Sequence, residues 1–302
     1  MVNATLPDDA FHPSILQGHL ETWYFDAVFT NFSTAIEFTV IQGIHHGIML
    51  TGLYLYRNGE LIHTKRSLST LSHVQLSQDH PEIHAENTSL VGNTTESDAW
   101  AYDLAVSNDG QGVDLHFEST MPAWKTRVRG GWWLALPDLH VTGRLTIDGV
   151  QIIVDGQGYH DHNWFSFLTP LLQKGWQFIN IAGDRAGITL AKIQTTRLRG
   201  TYIIVLNQPH TTPMLLDPST IQFKVTDWMP SFHRQIPRNF TLQLTTDRVQ
   251  LAVTLTTEAV HSITFPFTLY WRYHLRILGT LTVDGQTQVI DMVRISELVR
   301  FL

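Results

Sequence analysis

Apolar and polar residues alternate with a period of two along nearly the whole chain, as in Trp23–Phe29, Ala35–Val40, Ala101–Val106 and Trp176–Ile181. Such alternation marks strands with two distinct faces. Between the strands stand Asn58-Gly59, Asp109-Gly110, Asp148-Gly149, Asp155-Gly156 and Asp284-Gly285, pairs that tolerate the positive φ of tight hairpin turns. Only Thr169–Lys174 and Ile295–Leu302 leave room for a turn or two of helix. The expectation is an all-β fold of antiparallel barrels or sandwiches, in which closure removes exposed edges.

A length of 302 residues predicts two domains of ordinary size. An internal echo supports a duplication: Gly143-Arg-Leu-Thr-Ile-Asp-Gly149 returns 136 residues later as Gly279-Thr-Leu-Thr-Val-Asp-Gly285. The expected division is 1–172 and 173–302. The echo also sets Asp161 against Glu297, each twelve positions after the closing glycine. With no cysteine, disulfides, thiolate zinc sites, iron–sulfur clusters and cysteine nucleophiles are excluded. A net charge of −7 and scattered basic residues argue against nucleic acid as a partner. Lys125, Arg127 and Arg129 share one strand face and read as a solvated row, with a carboxylate or phosphate head group as the alternative ligand. The N-terminus lacks the pattern of a secretory signal, and no run approaches the 18 apolar residues of a membrane span. A cytoplasmic protein without stable membrane insertion is expected, with peripheral contact to a membrane left open.

Most of the chemistry lies in Tyr159-His160-Asp161-His162-Asn163-Trp164. On a strand, Tyr159, Asp161 and Asn163 face one way and His160, His162 and Trp164 the other. If the first face looks inward, a phenol, a carboxyl and an amide meet against aromatic walls, where low dielectric keeps a proton on the carboxyl. His160-x-His162, joined by His45-His46 or Asp161, has the donor types of a zinc or non-haem iron site. Asp161 points away from the imidazoles, so the two histidines read as supports that hydrogen-bond across the barrel. No metal and no cofactor are expected.

These residues resemble the hydroxyneurosporene synthase or carotenoid 1,2-hydratase family of AttH-like, two-domain lipocalin-like proteins, to which fungal Diels–Alderases are also similar. The resemblance is carried by Glu21-Thr22-Trp23-Tyr24-Phe25-Asp26, by Trp132-Trp133 through Pro137, and above all by Tyr159 to Trp164. In the C-terminal half it rests on Tyr270-Trp271-Arg272 and Gly279 to Gly285. It implies two lipocalin-like antiparallel β-barrel or sandwich domains, a hydrophobic pocket near their junction, and isoprenoid or polyketide-like ligands. It also implies that Tyr159 and Asp161 act on a terminal alkene. Two positions depart from the family pattern: Phe165 follows Trp164 where glycine is usual, and Gly131 precedes Trp132-Trp133 where hydratases look to a histidine, His140 being the nearest.

Protonating an isoprenoid double bond generates a tertiary cation, which calls for a positioned acid, apolar walls and aromatic faces. Asp161 is the expected acid and Tyr159 its hydrogen-bond partner. Trp23, Trp132, Trp133, Asn163, Trp164 and Trp176 are the expected substrate contacts, with His160, His162 and Glu297 in support. Capture of the cation by water makes the protein a hydratase, and capture by an internal alkene makes it a terpenoid cyclase. Two other classes use the same apolar site: a pericyclase that folds a polyene by shape and hydrogen bonds, and a lipid-binding protein without catalysis. The sequence leaves the oligomeric state open.

Overall fold

A computed structural model describes residues 1–13, 18–43, 47–166, 169–195, 200–265 and 268–301. The chain forms two compact units, Met1–Thr169 and Pro170–Leu302. In the first unit the strands are β1 (Val2–Asn3), β2 (His19–Val28), β3 (Phe32–Gln42), β4 (Ile48–Arg57), β5 (Glu60–Thr70), β6 (Gln75–Leu76) and β7 (Glu82–Ala85). They continue with β8 (Thr88–Thr94), β9 (Trp100–Asn108), β10 (Gln111–Ser119), β11 (Trp124–Val128), β12 (Gly131–Ile147) and β13 (Val150–Ser166). In the second unit they are β14 (Gly175–Ala182), β15 (Gly187–Gln194), β16 (Gly200–Asn207), β17 (Met214–Leu215) and β18 (Ile221–Ser231). The last four are β19 (Arg234–Thr245), β20 (Val249–Phe265), β21 (Thr268–Val283) and β22 (Gln286–Phe301).

The fold is all-β, two curled antiparallel half-barrel sheets of the lipocalin-like kind. The order is β5-β4-β3-β2-β13-β12-β10-β9-β8-β7-β6 in the first and β17-β16-β15-β14-β22-β21-β20-β19-β18 in the second. Each sheet thus pairs its last long strand with its first, β13 with β2 and β22 with β14. Neither ladder closes on itself among the described residues, so the expected closure is incomplete. The edge strand β5 carries exposed Lys65 and Arg66, charges that discourage pairing with another chain.

The echoed heptapeptides end at corresponding hairpins. Asp148 and Gly149 turn β12 into β13 at φ 52° and 78°, and Asp284 and Gly285 turn β21 into β22 at φ 50° and 80°. The leading glycines also correspond: a Cβ on Gly143 would lie 2.2 Å from the Asp114 carbonyl oxygen, and one on Gly279 would lie 2.0 Å from that of Ala252. Asp155-Gly156, read as a turn, lies instead inside β13 opposite Thr142 and Val141. There the glycine serves a close approach, since a Cβ would come within 2.2 Å of the Val28 carbonyl oxygen on β2. Thr169–Leu172 is a short helix, whereas Ile295–Leu302, the other candidate, falls on β22 as far as Phe301. Leu298 and Val299 are both buried there although they point to opposite faces, which disguised the strand period.

Inside the first unit Trp23, Phe25, Phe38, Leu53, Tyr102, Phe117, Leu134 and Leu136 belong to one apolar core. The N-terminal segment packs on this core through Ala4, Leu6 and Phe11. The second unit has its own core, which includes Ile179, Leu190, Phe240, Trp271 and Leu275. Among the described residues no helix is long and apolar enough to cross a membrane.

Candidate active site

Strand β13 lies between β2 and β12, with Asp161 opposite Tyr24 on one side and Ala135 on the other. Alternation puts Tyr159, Asp161, Asn163 and Phe165 on one face with Trp133 and Ala135 of β12. Trp124 joins this face by packing edge-on against Trp133, 4.8 Å between ring centroids. Asp161 is the hub. Tyr159 Oη donates to its Oδ2 at 3.0 Å, Trp133 Nε1 donates to the same oxygen at 3.2 Å, and Asn163 Nδ2 donates to Oδ1 at 2.8 Å. Trp133 Nε1 is also 3.2 Å from Tyr159 Oη, so indole, phenol and carboxyl form one network. Tyr159 and Trp133 are buried and Asp161 is half-buried.

This face turns away from the core of the first unit, the reverse of an inward-looking acid. The core side of β13 carries His160 and His162, both fully buried. His160 Nδ1 donates to the Tyr24 carbonyl at 2.9 Å, and its Nε2 lies 3.0 Å from Asp9 Oδ2. His162 Nε2 lies 2.8 Å from Glu21 Oε1, and its Nδ1 is 3.1 Å from Asp9 Oδ1, off the line of a good hydrogen bond. Phe25 stacks on His160 and Trp23 on His162, with centroids 3.9 and 4.2 Å apart. Tyr102 Oη donates to Asp9 at 2.6 Å, and Trp23 Nε1 donates to the Asp9 carbonyl at 2.9 Å. Glu21 receives the backbone N–H of His12, whose Nδ1 is 2.7 Å from its Oε1.

Charge pairing overrides burial in this network. Desolvation opposes the charge on Asp9, yet the attraction and hydrogen bond of His160, with the His162 ring close by, hold its carboxyl well below the usual range. Desolvation likewise works against a charged His162, but Asp9 and Glu21 push it up to about 9. Glu21 is lowered in turn, because the hydrogen bonds of His12 and His162 outweigh its burial. Asp9 and His12 carried no sequence signal, as neither belongs to a periodic segment or a motif. Glu21 stood inside the Glu21–Asp26 motif without a role.

The expected site residues therefore divide. Tyr159, Asp161, Asn163 and Trp133 come together, while Trp23, Trp132 and Trp164 lie on the opposite face. Trp132 stacks on Trp164 at 6.1 Å and receives the Arg127 guanidinium over its ring at 5.1 Å, so Arg127 is not merely solvated. Trp176 and Glu297 belong to the second unit. Trp176 packs edge-on against Phe301, and Glu297 accepts a hydrogen bond from Tyr270 Oη. His45 and His46 fall outside the described residues. His140 is exposed and pairs with Asp155 at 3.1 Å, away from Asp161. Nor is there room for a side chain at position 131: a Cβ on Gly131 would lie 2.2 Å from the Trp164 carbonyl oxygen and 2.5 Å from the Phe165 ring. The two departures from the family pattern are thus cross-strand neighbours, Gly131 opposite Phe165.

By sequence, no family profile and no curated protein matches the chain. Solved structures do match. A protein of Nitrosomonas europaea assigned as an AttH has a TM-score of 0.70 at 13% identity, covering 94% of this chain and 92% of that one. Kievitone hydratase from Nectria haematococca has 0.66 at 11% identity, over 99% and 93%. CghA, solved with Sch210972, has 0.64 at 12% identity, over 94% and 89%. The chain is similar in fold, over nearly its full length, to AttH, kievitone hydratase and CghA.

Proposed function

We propose that this protein is an enzyme acting on a hydrophobic, isoprenoid-like alkene, with Asp161 as the acid that starts the reaction. The observation behind this reading is the set of three donors on one carboxyl group, Tyr159 and Trp133 on Oδ2 and Asn163 on Oδ1. An alkene is a weak base, so protonating it requires an acid whose anion is stabilised as the proton departs. The three donors meet the negative charge as it develops on Asp161. The indoles of Trp133 and Trp124, packed edge-on and buried on this face, supply the aromatic surroundings that a cation calls for.

The proton from Asp161 adds to the less substituted alkene carbon, leaving positive charge on the tertiary one. Addition of water then forms a C–O bond, and the oxonium proton returns to the Asp161 carboxylate, giving a tertiary alcohol. Attack by an internal alkene forms a C–C bond instead, and loss of a proton to Asp161 ends the cyclisation. One of the fold neighbours is named a hydratase, and CghA was solved with a small molecule, which supports chemistry on a small organic substrate.

Incubation with squalene, lycopene or geranylgeraniol in D2O tests the reading. It expects product with solvent deuterium fixed on carbon. Turnover without deuterium would move the assignment to pericyclic chemistry, and binding without turnover to a lipid carrier.

A further inference from the structure

The core side of β13 holds a group of side chains that the proposed acid chemistry does not use. We propose that His12, Glu21 and His162 form a site for one divalent transition-metal ion of the zinc class. His12 Nδ1 and His162 Nε2 converge on Glu21 Oε1 at 2.7 and 2.8 Å, and all three donor atoms lie within 4.8 Å of one another. Two imidazoles and a carboxylate are the donor types such ions prefer, with a further position for water. Each donor must sit about 2.1 Å from the ion, so the three need shift only slightly to accept one.

The surroundings are built as they are behind metal ligands. The far nitrogen of His162 is 3.1 Å from the buried Asp9 carboxylate, close enough for a small turn of the ring to make the carboxylate–histidine hydrogen bond found behind metal ligands. Trp23 stacks on the His162 ring and Trp164 on the His12 ring, with centroids 4.2 and 4.4 Å apart, which fixes both ring planes. Gln42 Nε2 holds the His12 carbonyl at 3.1 Å. The His12 side chain is 35% exposed, while those of Glu21 and His162 are closed to solvent. The site therefore has one open side, by which an ion and its waters enter.

A divalent ion would take the place of the protons that His12 Nδ1 and His162 Nε2 share with Glu21, so that the buried Asp9 and Glu21 carboxylates stay compensated when those protons leave. His160 is not a ligand, because its nitrogens are turned to Asp9 and to the Tyr24 carbonyl. The sequence pairs His162 with the wrong partner: His160 is its neighbour in the motif, but His12 and Glu21 are its neighbours in space. A bound ion would join the N-terminal segment to β2 and β13.

The test uses the full chain, stripped with a chelator and titrated with Co2+ by visible absorption and with Zn2+ by calorimetry. The proposal expects one equivalent bound with a dissociation constant below about 10 µM, the strong visible bands of a four- or five-coordinate cobalt ion, and a Tm that rises with zinc. His12→Ala removes a half-exposed ligand with little risk to folding and should weaken binding at least tenfold. Glu21→Gln should do the same wherever it folds. The half-buried surface set of His80, Glu82 and His84 supplies the control, since the double variant His80→Ala/His84→Ala should bind as the wild type does. Failure of the wild-type chain to saturate, undiminished binding in His12→Ala, or loss of binding in the control variant would each overturn the proposal.

Discussion

Asp9 and His160 are 151 residues apart in the chain, and carboxylate and imidazole nitrogen are 3.0 Å apart in the fold. The pair fastens the N-terminal segment to the strand that carries the candidate acid. Removing one member of a buried ion pair leaves the other uncompensated, at a cost of about 3–5 kcal/mol. Asp9→Asn is therefore expected to lower the urea midpoint strongly. Asp8→Asn, which breaks a partly exposed pair with Lys125, should cost no more than about 1 kcal/mol. Equal effects of the two would mean that the Asp9 network does not anchor the segment.

A second expectation concerns acid. His274 is buried in the second unit, and desolvation, helped by Arg272 and His261, lowers it from 6.5 to about 4. The folded protein keeps the ring neutral where the unfolded chain takes up a proton. The stability that His274 contributes is thus complete above pH 6.5 and falls as the pH drops toward about 4. For a group this buried the loss is of order 3 kcal/mol. Urea unfolding at pH 7.5 and 4.5 measures it, and His274→Gln should flatten the difference. A variant as acid-sensitive as the wild type would put the titrating group elsewhere.

The echoed glycines allow a comparison within one chain. Gly143→Ala and Gly279→Ala would each drive a Cβ into a neighbouring carbonyl oxygen. Overpacking of this kind costs about 1–3 kcal/mol or more. At Gly149 nothing lies within 4 Å of the added carbon, so Gly149→Ala should show only the left-handed strain of about 1–2 kcal/mol. Thermal unfolding of the three variants should rank them in that way.

Much of the fold was legible because strands and tight turns are local. Asn58, Asp109, Asp148 and Asp284 all turn at positive φ beside their glycines. Asp155-Gly156 has the same signature for another reason, the approach of Val28, which no local pattern distinguishes. The site was harder to read. Alternation separates Asp161 from His160 but does not say which faces the core, and here Tyr159 and His160 are both buried. Asp9 and His12 were beyond reach, since their partners are brought to them only when the first unit folds.

Trp133→Phe keeps an aromatic ring on the face but deletes the N–H shared by Tyr159 and Asp161. Loss of one donor to a developing charge should lower kcat about tenfold, with KM nearly unchanged. A rise in KM alone would make Trp133 a binding wall and not a support of the acid.

The central claim is that Asp161 gives up a proton in the reaction, and the turnover of Asp161→Asn tests it most directly. The amide keeps the size of the carboxyl and part of its hydrogen bonding while removing the acid. Once a substrate is in hand, turnover should fall about a hundredfold or more while binding persists, and Tyr159→Phe should lose less. Full turnover by Asp161→Asn, with the substrate bound as in the wild type, would contradict the account.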